Sequence, residues 1–191
     1  MDVAVVEFGS PTAPAEFTRS LRETGFAVLV DHPLEWSLVE GIYREWAEFF
    51  DSEAVHAYTT TDRQVGFFPP SISETAKDYD ARDLKEFFHI YPWSVYPTEL
   101  TDAALRYAEV ATDVAATLLG WVEAEMPADV AARLSVPLTQ MLDGQSSLLR
   151  ILRYPPLPPS VPEGAVRAAA HEDINLLTVL PASDQAGLEL L

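Results

Sequence analysis

The chain has 191 residues, 48% of them hydrophobic and 10% aromatic, with 12 Lys+Arg against 30 Asp+Glu and a formal net charge of −18. That composition excludes a disordered chain and supplies apolar material for a sizeable core, while the acidic balance argues against nucleic acid and anionic membranes as partners. There is no cysteine, which rules out disulfides, thiolate metal sites and a cysteine nucleophile, and no apolar run has transmembrane length.

The N-terminal stretch MDVAVVEFGSPTAP is acidic and lacks the basic n-region of a signal peptide, so a cytoplasmic protein is expected. Residues 3–8 (VAVVEF) predict a short strand. PAEFTRSLRETG predicts a helix with Pro14 in its first turn, Phe17 and Leu21 on one face and Gly25 as terminator. Residues 26–32 (FAVLVDH) are β-rich and stop at Pro33. In LEWSLVEGIYREWAEFF, the residues Leu34, Leu38, Ile42, Trp46 and Phe49 form one helical stripe suited to packing on a sheet. Residues 58–97 read as irregular and are rich in aromatics and proline, a composition often put to functional use.

Residues 98–126 predict a long helix capped by Thr98, with Leu105, Ala108, Ala115, Leu119, Val122 and Met126 as its buried face. Gly120 inside it costs about 1 kcal/mol against alanine, which suggests close packing there. A short helix, ADVAARL, follows. After about Ser146 the pattern turns to strands: SLLRILRY, then, past a proline-rich loop, RAAAHED, NLLTVL and GLELL, split by Asp184 and Gly187. Helices followed by successive strands give an α+β class, divided into residues 1–145 and 146–191.

AVRAAAHEDINLLTVL places His171 and Asp173 two positions apart. On a strand, residues i and i+2 point the same way, so the imidazole and carboxylate would converge. That pair suits Fe(II), Mn(II) or Zn(II); two histidines and one carboxylate on an octahedral face leave three positions open. The same triplet also fits an exposed turn or a helix N-cap at Asp173. Leu148, Arg150, Leu152 and Tyr154 share parity on their strand, so Arg150 faces either a cavity or a rim ion pair.

Four stretches in order, TGFAVLVDHP, VGFFPP with DLKEFFHIYP, LRILRYPP and HEDINLLTVL, resemble the motifs of the isopenicillin N synthase-like group of Fe(II)/2-oxoglutarate-dependent oxygenases. The resemblance runs from about residue 3 to residue 191. It implies a helical N-terminal region followed by a double-stranded β-helix (jelly roll), truncated in this chain. It implies that His171 and Asp173 are two of the three iron ligands and that Tyr154, with Arg150, serves the cosubstrate. Fe(II) and 2-oxoglutarate are then the cofactors, and O2 and a small organic molecule the partners. Oxidative decarboxylation to succinate and CO2 would drive hydroxylation, desaturation or ring closure. The family often carries Asn-x-Tyr where this chain has Leu152-Arg153-Tyr154, which puts one polar contact to the cosubstrate in doubt. Phe67 and Phe68 are candidate substrate-pocket walls, with ordinary core packing as the competing role.

The family's second histidine ligand lies downstream and is followed by Arg-x-Ser. The other histidines here, His32, His56 and His89, all precede the pair, and none matches it. The remaining ligand is therefore expected beyond Leu191 in a longer oxygenase, of which this chain is a fragment. A half-built jelly roll would expose sheet edges and invite self-association. Two further readings stand beside this one: a truncated, non-catalytic relative acting as a binding module, and an isopenicillin N synthase-like oxidase that does not use 2-oxoglutarate.

Overall fold

The computed structural model describes residues 2–60, 64–72, 82–157, 160–161, 165–183 and 185–189. They fall into two units. The first comprises Met1–Glu40, Asp102–Gly144 and Leu176–Leu180, and the second Gly41–Thr101, Gln145–Asn175 and Pro181–Leu191. Helix and sheet are mixed, as expected. No helix among the described residues is long and apolar enough to cross a membrane.

In the first unit, β1 (Val5–Glu7) and β2 (Val28–Val30) pair in parallel, with Val6 opposite Leu29. Parallel neighbours need a crossover, and α1 (Ala13–Thr24) supplies it. Proline near its start and Gly25 at φ 76° bound this helix, and the Gly25 amide donates to the Leu21 carbonyl at 2.8 Å. Buried Ser20 stitches the helix to both strand entries. Its hydroxyl accepts from the Ala4 amide at 3.0 Å and donates to the Phe26 carbonyl at 2.6 Å. Val6, Ala13 and Phe17 form a core with Val114 and Leu118 of α3 (Ala103–Ala124), and Trp121 adds its ring against Phe8 and Phe17.

α3 differs from the expected helix in its start and in its face. It begins at Ala103 rather than Thr98. The residues before it are held by side chains instead. The Thr98 amide donates to the Tyr58 hydroxyl at 3.3 Å, and the Thr101 amide and hydroxyl both donate to the Glu45 carboxylate. Such local acceptors compete with helical backbone bonds. The buried residues are Ala103, Ala104, Tyr107, Val114, Leu118 and Leu119, so of the expected face only Leu119 is fully buried. Alanine, leucine and valine surround this helix on most sides, and periodicity cannot then select one stripe. Close packing does not explain Gly120, because a Cβ there would meet only Thr139 Cγ2 at 3.9 Å. Two short helices follow, α4 (Ala128–Ala131) and the unforeseen α5 (Leu138–Met141).

In the second unit, β3 (Gly66–Phe68), β4 (Glu86–Ile90) and β5 (Leu149–Arg153) form an antiparallel sheet with β4 in the centre. Residues 58–97, read as irregular, thus contain two strands. All five residues of β4 are buried, so neither face is polar and the alternation that marks a half-exposed strand is absent. Phe67, Phe88 and Ile151 line one face; Phe68, Phe87 and Leu152, then His89 and Arg150, line the other. The first face packs on α2 (Trp36–Phe50), with Trp46 5.2 Å from the Phe88 ring and Phe50 5.9 Å from Phe67. Trp46 and Phe49 of the predicted stripe therefore meet this sheet, whereas Leu34 precedes the helix and packs on the first unit's core. Beyond a 3-10 helix at Glu53–Tyr58, β3 opens on Gly66 at φ 86°, where a Cβ would collide with the Tyr58 carbonyl oxygen.

After β5, no described residue belongs to a strand. RAAAHED, NLLTVL and GLELL were expected to be strands, and among the described residues they are not; Asp184 and residues 190–191 lie outside those described. NLLTVL shows why. Leu177 and Val179 pack on the first unit's core while Leu176 and Leu180 face solvent. The period of two is real, but a strand also needs a neighbour for its N–H and C=O groups.

Arg153 donates to Glu86 at 3.1 Å and also reaches Asp51. Burial pushes the Glu86 carboxyl above its ordinary value of 4.5, against the opposing pull of Arg153. A carboxyl raised in the folded state stabilises most below its unfolded value and loses that contribution as pH rises through the folded one. Relative to Glu86→Gln, the native protein should therefore lose stability as pH rises through a window that opens near 4.5. Urea midpoints of both proteins across that window check this, and a pH-independent gap would refute it. The two glycines give a contrasting pair of outcomes. Gly120→Ala should stabilise by up to about 1 kcal/mol, whereas Gly66→Ala should destabilise by roughly 1–3 kcal/mol through strain at positive φ. Chemical denaturation of the two variants measures both.

Candidate metal and cosubstrate site

The register of the second unit's sheet determines where its chemical groups lie. Glu86 stands opposite Arg153, so the entry to β4 and the exit of β5 share one end of the sheet. Tyr154 leaves there, 44% exposed. Residues 166–169 are fastened at the same end. The Leu84 amide donates to the Val166 carbonyl at 2.9 Å, the Ala169 amide donates to Asp83 Oδ1 at 3.1 Å, and Arg167 donates to the Pro155 carbonyl at 3.0 Å. His171 and Asp173 follow directly, so the structure brings the His171–Asp173 segment to the sheet end that carries Tyr154.

The pair does not converge by strand alternation, since this segment is irregular. His171 Nδ1 lies 2.8 Å from the Ala169 carbonyl oxygen. A carbonyl can only accept, so Nδ1 carries a proton, and in the neutral ring Nε2 is the nitrogen left to bind a metal. Nε2 is 3.8 Å from Asp173 Oδ1, and the two side chains are 55% and 51% exposed. Neighbouring donors on one metal ion, each about 2.1 Å from it, are about 3.0 Å apart. A small side-chain rotation therefore brings this imidazole and this carboxylate onto adjacent positions of one ion. The donor set fits a first-row divalent metal. Among the described residues, no cluster of three His, Asp or Glu side chains is grouped to hold a metal.

Arg150 lies farther along β5, about 13 Å from Tyr154 at ~3.3 Å per residue. Its Nε donates to His89 Nε2 at 2.8 Å, and His89 Nδ1 donates to the Gln64 carbonyl at 3.0 Å. The guanidinium sits 4.9 Å from the Phe87 ring centroid, and Phe87 stacks on Phe68 at 4.6 Å. Arg150 therefore lies on the sheet face that carries these rings. His89 is held neutral, with both ring nitrogens engaged. The sheet separates the two phenylalanines of GFF. Phe68 lies on the Arg150 face, whereas Phe67 packs on the opposite face against Phe50 and the exposed His56. His32 is half-buried in the first unit.

Asp83 and Lys85, part of DLKEFF in the resemblance but given no role there, form an ion pair of 2.9 Å at 4% and 5% side-chain exposure. Their available signal was two opposite charges at the head of an aromatic run, DLKEFF.

Residues 8–109 match the family described as non-haem dioxygenase in morphine synthesis N-terminal, more than half of the chain. No curated protein matches. Among solved structures, a proposed oxygenase from Shewanella oneidensis is similar over 92% of this chain, with 45% identity and a TM-score of 0.79. A full-length protein from Neurospora crassa, in complex with α-ketoglutarate, is similar over 86% at 17% identity and a TM-score of 0.60. A protein from Caulobacter crescentus, proposed to belong to the 2OG-Fe(II) oxygenase family, is similar over 83% at 24% identity and a TM-score of 0.58. The last two likenesses are of fold alone. The chain spans 64%, 59% and 58% of those three structures, less than two thirds of each. By its match over residues 8–109, the chain belongs to the non-haem dioxygenase family, in the N-terminal region that the family description covers.

Proposed function

We propose that this chain is part of an Fe(II)- and 2-oxoglutarate-dependent oxygenase acting on a small organic molecule. The observation that carries the reading is His171, with its proton held on Nδ1 by the Ala169 carbonyl and its Nε2 3.8 Å from the Asp173 carboxylate. Family membership supports it, as does the α-ketoglutarate in the Neurospora relative of the same fold. In this reading residues 1–145 are the N-terminal region and residues 146–191 the first part of a jelly roll. Arg150 of residues 146–191 then shares one sheet face with Phe68 and Phe87 of residues 1–145.

His171 Nε2 and Asp173 would hold the metal, with a third protein donor supplied from outside the described residues. When bound, Fe(II) supplies the O2-dependent decarboxylation of 2-oxoglutarate that is coupled to oxidation of the substrate, hydroxylation being the default. The chain's own residues bind and shield. Asp173 contributes the negative charge and His171 a neutral nitrogen whose orientation its Nδ1–H bond sets. Arg150 offers a local cation for a cosubstrate carboxylate in a protein of net charge −18, and a carboxylate is best met by the guanidinium fork. Tyr154 offers a hydroxyl at the same sheet end as the metal pair. Phe68 and Phe87 give an apolar floor that excludes water, with Phe68 as the wall nearest a substrate.

The test is metal binding followed by turnover. Mn(II) titration of the purified protein, read by electron paramagnetic resonance, should show a site that His171→Ala or Asp173→Ala weakens at least about ten-fold. Fe(II)-dependent succinate formation from 2-oxoglutarate should vanish in both variants. Arg150→Ala should weaken 2-oxoglutarate binding by roughly ten-fold or more, the value of one charge-assisted hydrogen bond. Unchanged Mn(II) binding in the two ligand variants would sink the metal reading. Binding without 2-oxoglutarate consumption would favour a cosubstrate-independent oxidase or a non-catalytic module.

A further inference from the structure

We infer that Asp83 is a positioning residue for His171, acting through the backbone at Ala169, with Lys85 as the counter-charge to its carboxylate. The metal role of His171 comes from the reading above; the chain of contacts does not depend on it. Both charged groups are about 95% buried, at 4% and 5% side-chain exposure. Removing two charges from water usually costs more than their mutual attraction returns, so a buried pair needs a use beyond stability.

The division of the Asp83 carboxylate gives that use. Oδ2 takes the Lys85 ammonium at 2.9 Å, which leaves Oδ1 aimed at the Ala169 amide at 3.1 Å. Leu84, between them, donates its amide to the Val166 carbonyl at 2.9 Å. Asp83 and Leu84 thus grip residues 166–169, a segment with no strand ladder of its own, while Lys85 holds the second oxygen of the Asp83 carboxylate. The far side of Ala169 is the carbonyl that receives His171 Nδ1–H at 2.8 Å. Lys85 also stands 5.9 Å from the Phe87 ring centroid, which anchors the ammonium end of the clamp to the sheet. The order is therefore sheet, Lys85, Asp83, Ala169, His171. Its effect is to hold one imidazole tautomer and one direction of Nε2. An apolar pair of equal volume would fill the same space but could not hold the Ala169 amide.

Two double variants of the full chain separate these roles. Asp83→Asn with Lys85→Met removes both charges and keeps an amide oxygen for Ala169. Asp83→Leu with Lys85→Met removes the acceptor as well. Nitrogen-15 NMR of the His171 ring, in the absence of metal, should report the Nδ1–H tautomer in the native protein and in the first variant, and mixed tautomers in the second. Mn(II) affinity should fall about ten-fold or more in the second variant only. If that variant fails to fold by circular dichroism, Ala169→Pro, which deletes the amide donor and also restricts the local backbone, takes its place with the same expectation. A native-like tautomer and native-like Mn(II) affinity in either acceptor-free or donor-free variant would overturn the inference. A tautomer that responds while Mn(II) leaves the native His171 resonances unbroadened would uphold the positioning and bring down the metal reading instead.

Discussion

The second unit depends on a central strand that is buried on both faces. β4 cannot slip by one residue without moving Phe88 off Trp46 and Phe87 off Phe68 at once, because a one-residue shift turns every side chain to the other face. That constraint sets Glu86 against Arg153 and His89 against Arg150. It also puts residues 83–85 at the sheet end where Tyr154 departs. The chemical groups owe their relative positions to aromatic packing on both faces of the sheet.

How much of this could be read from the sequence depended on the type of signal. The bounds of α1 were legible because Pro14 and Gly25 act locally through their own backbone chemistry. The stripe of α2 was legible because polar residues separate its apolar ones, so the helical period shows. β5 was legible from LRILR and its proline-rich end. β3 and β4 were not, since total burial erases the contrast that a period needs. The face of α3 was not, since alanine, leucine and valine leave several stripes of similar apolarity. The tail shows a third case: alternation at Leu177 and Val179 is present, but pairing is a property of the neighbour and not of the segment.

The candidate site divides in the same way. His171 and Asp173 stand out through their spacing, and the structure gives them a common end of the sheet with Tyr154. The support behind them is not legible from spacing, because it runs between residues far apart in the chain, from Asp83 to Ala169 and from His89 to Arg150. Phe67 and Phe68 look alike in sequence, yet adjacent strand residues face opposite ways. One became the bed for Phe50 and the other the stacking partner of Phe87.

The spacing of the paired strands along the chain bears on the order of assembly. β1, α1 and β2 are contiguous, so their closure is local. β3 and β4 also lie close in sequence. By contrast, the bond between Arg153 and Glu86 spans 67 positions. Closing a longer loop costs more entropy and delays the contacts that depend on it. During synthesis, β4 can settle against Phe49 and Trp46 before β5 has left the ribosome. The strand that carries Arg150 and leads into Tyr154 is thus the last of its sheet to dock, onto a template already formed.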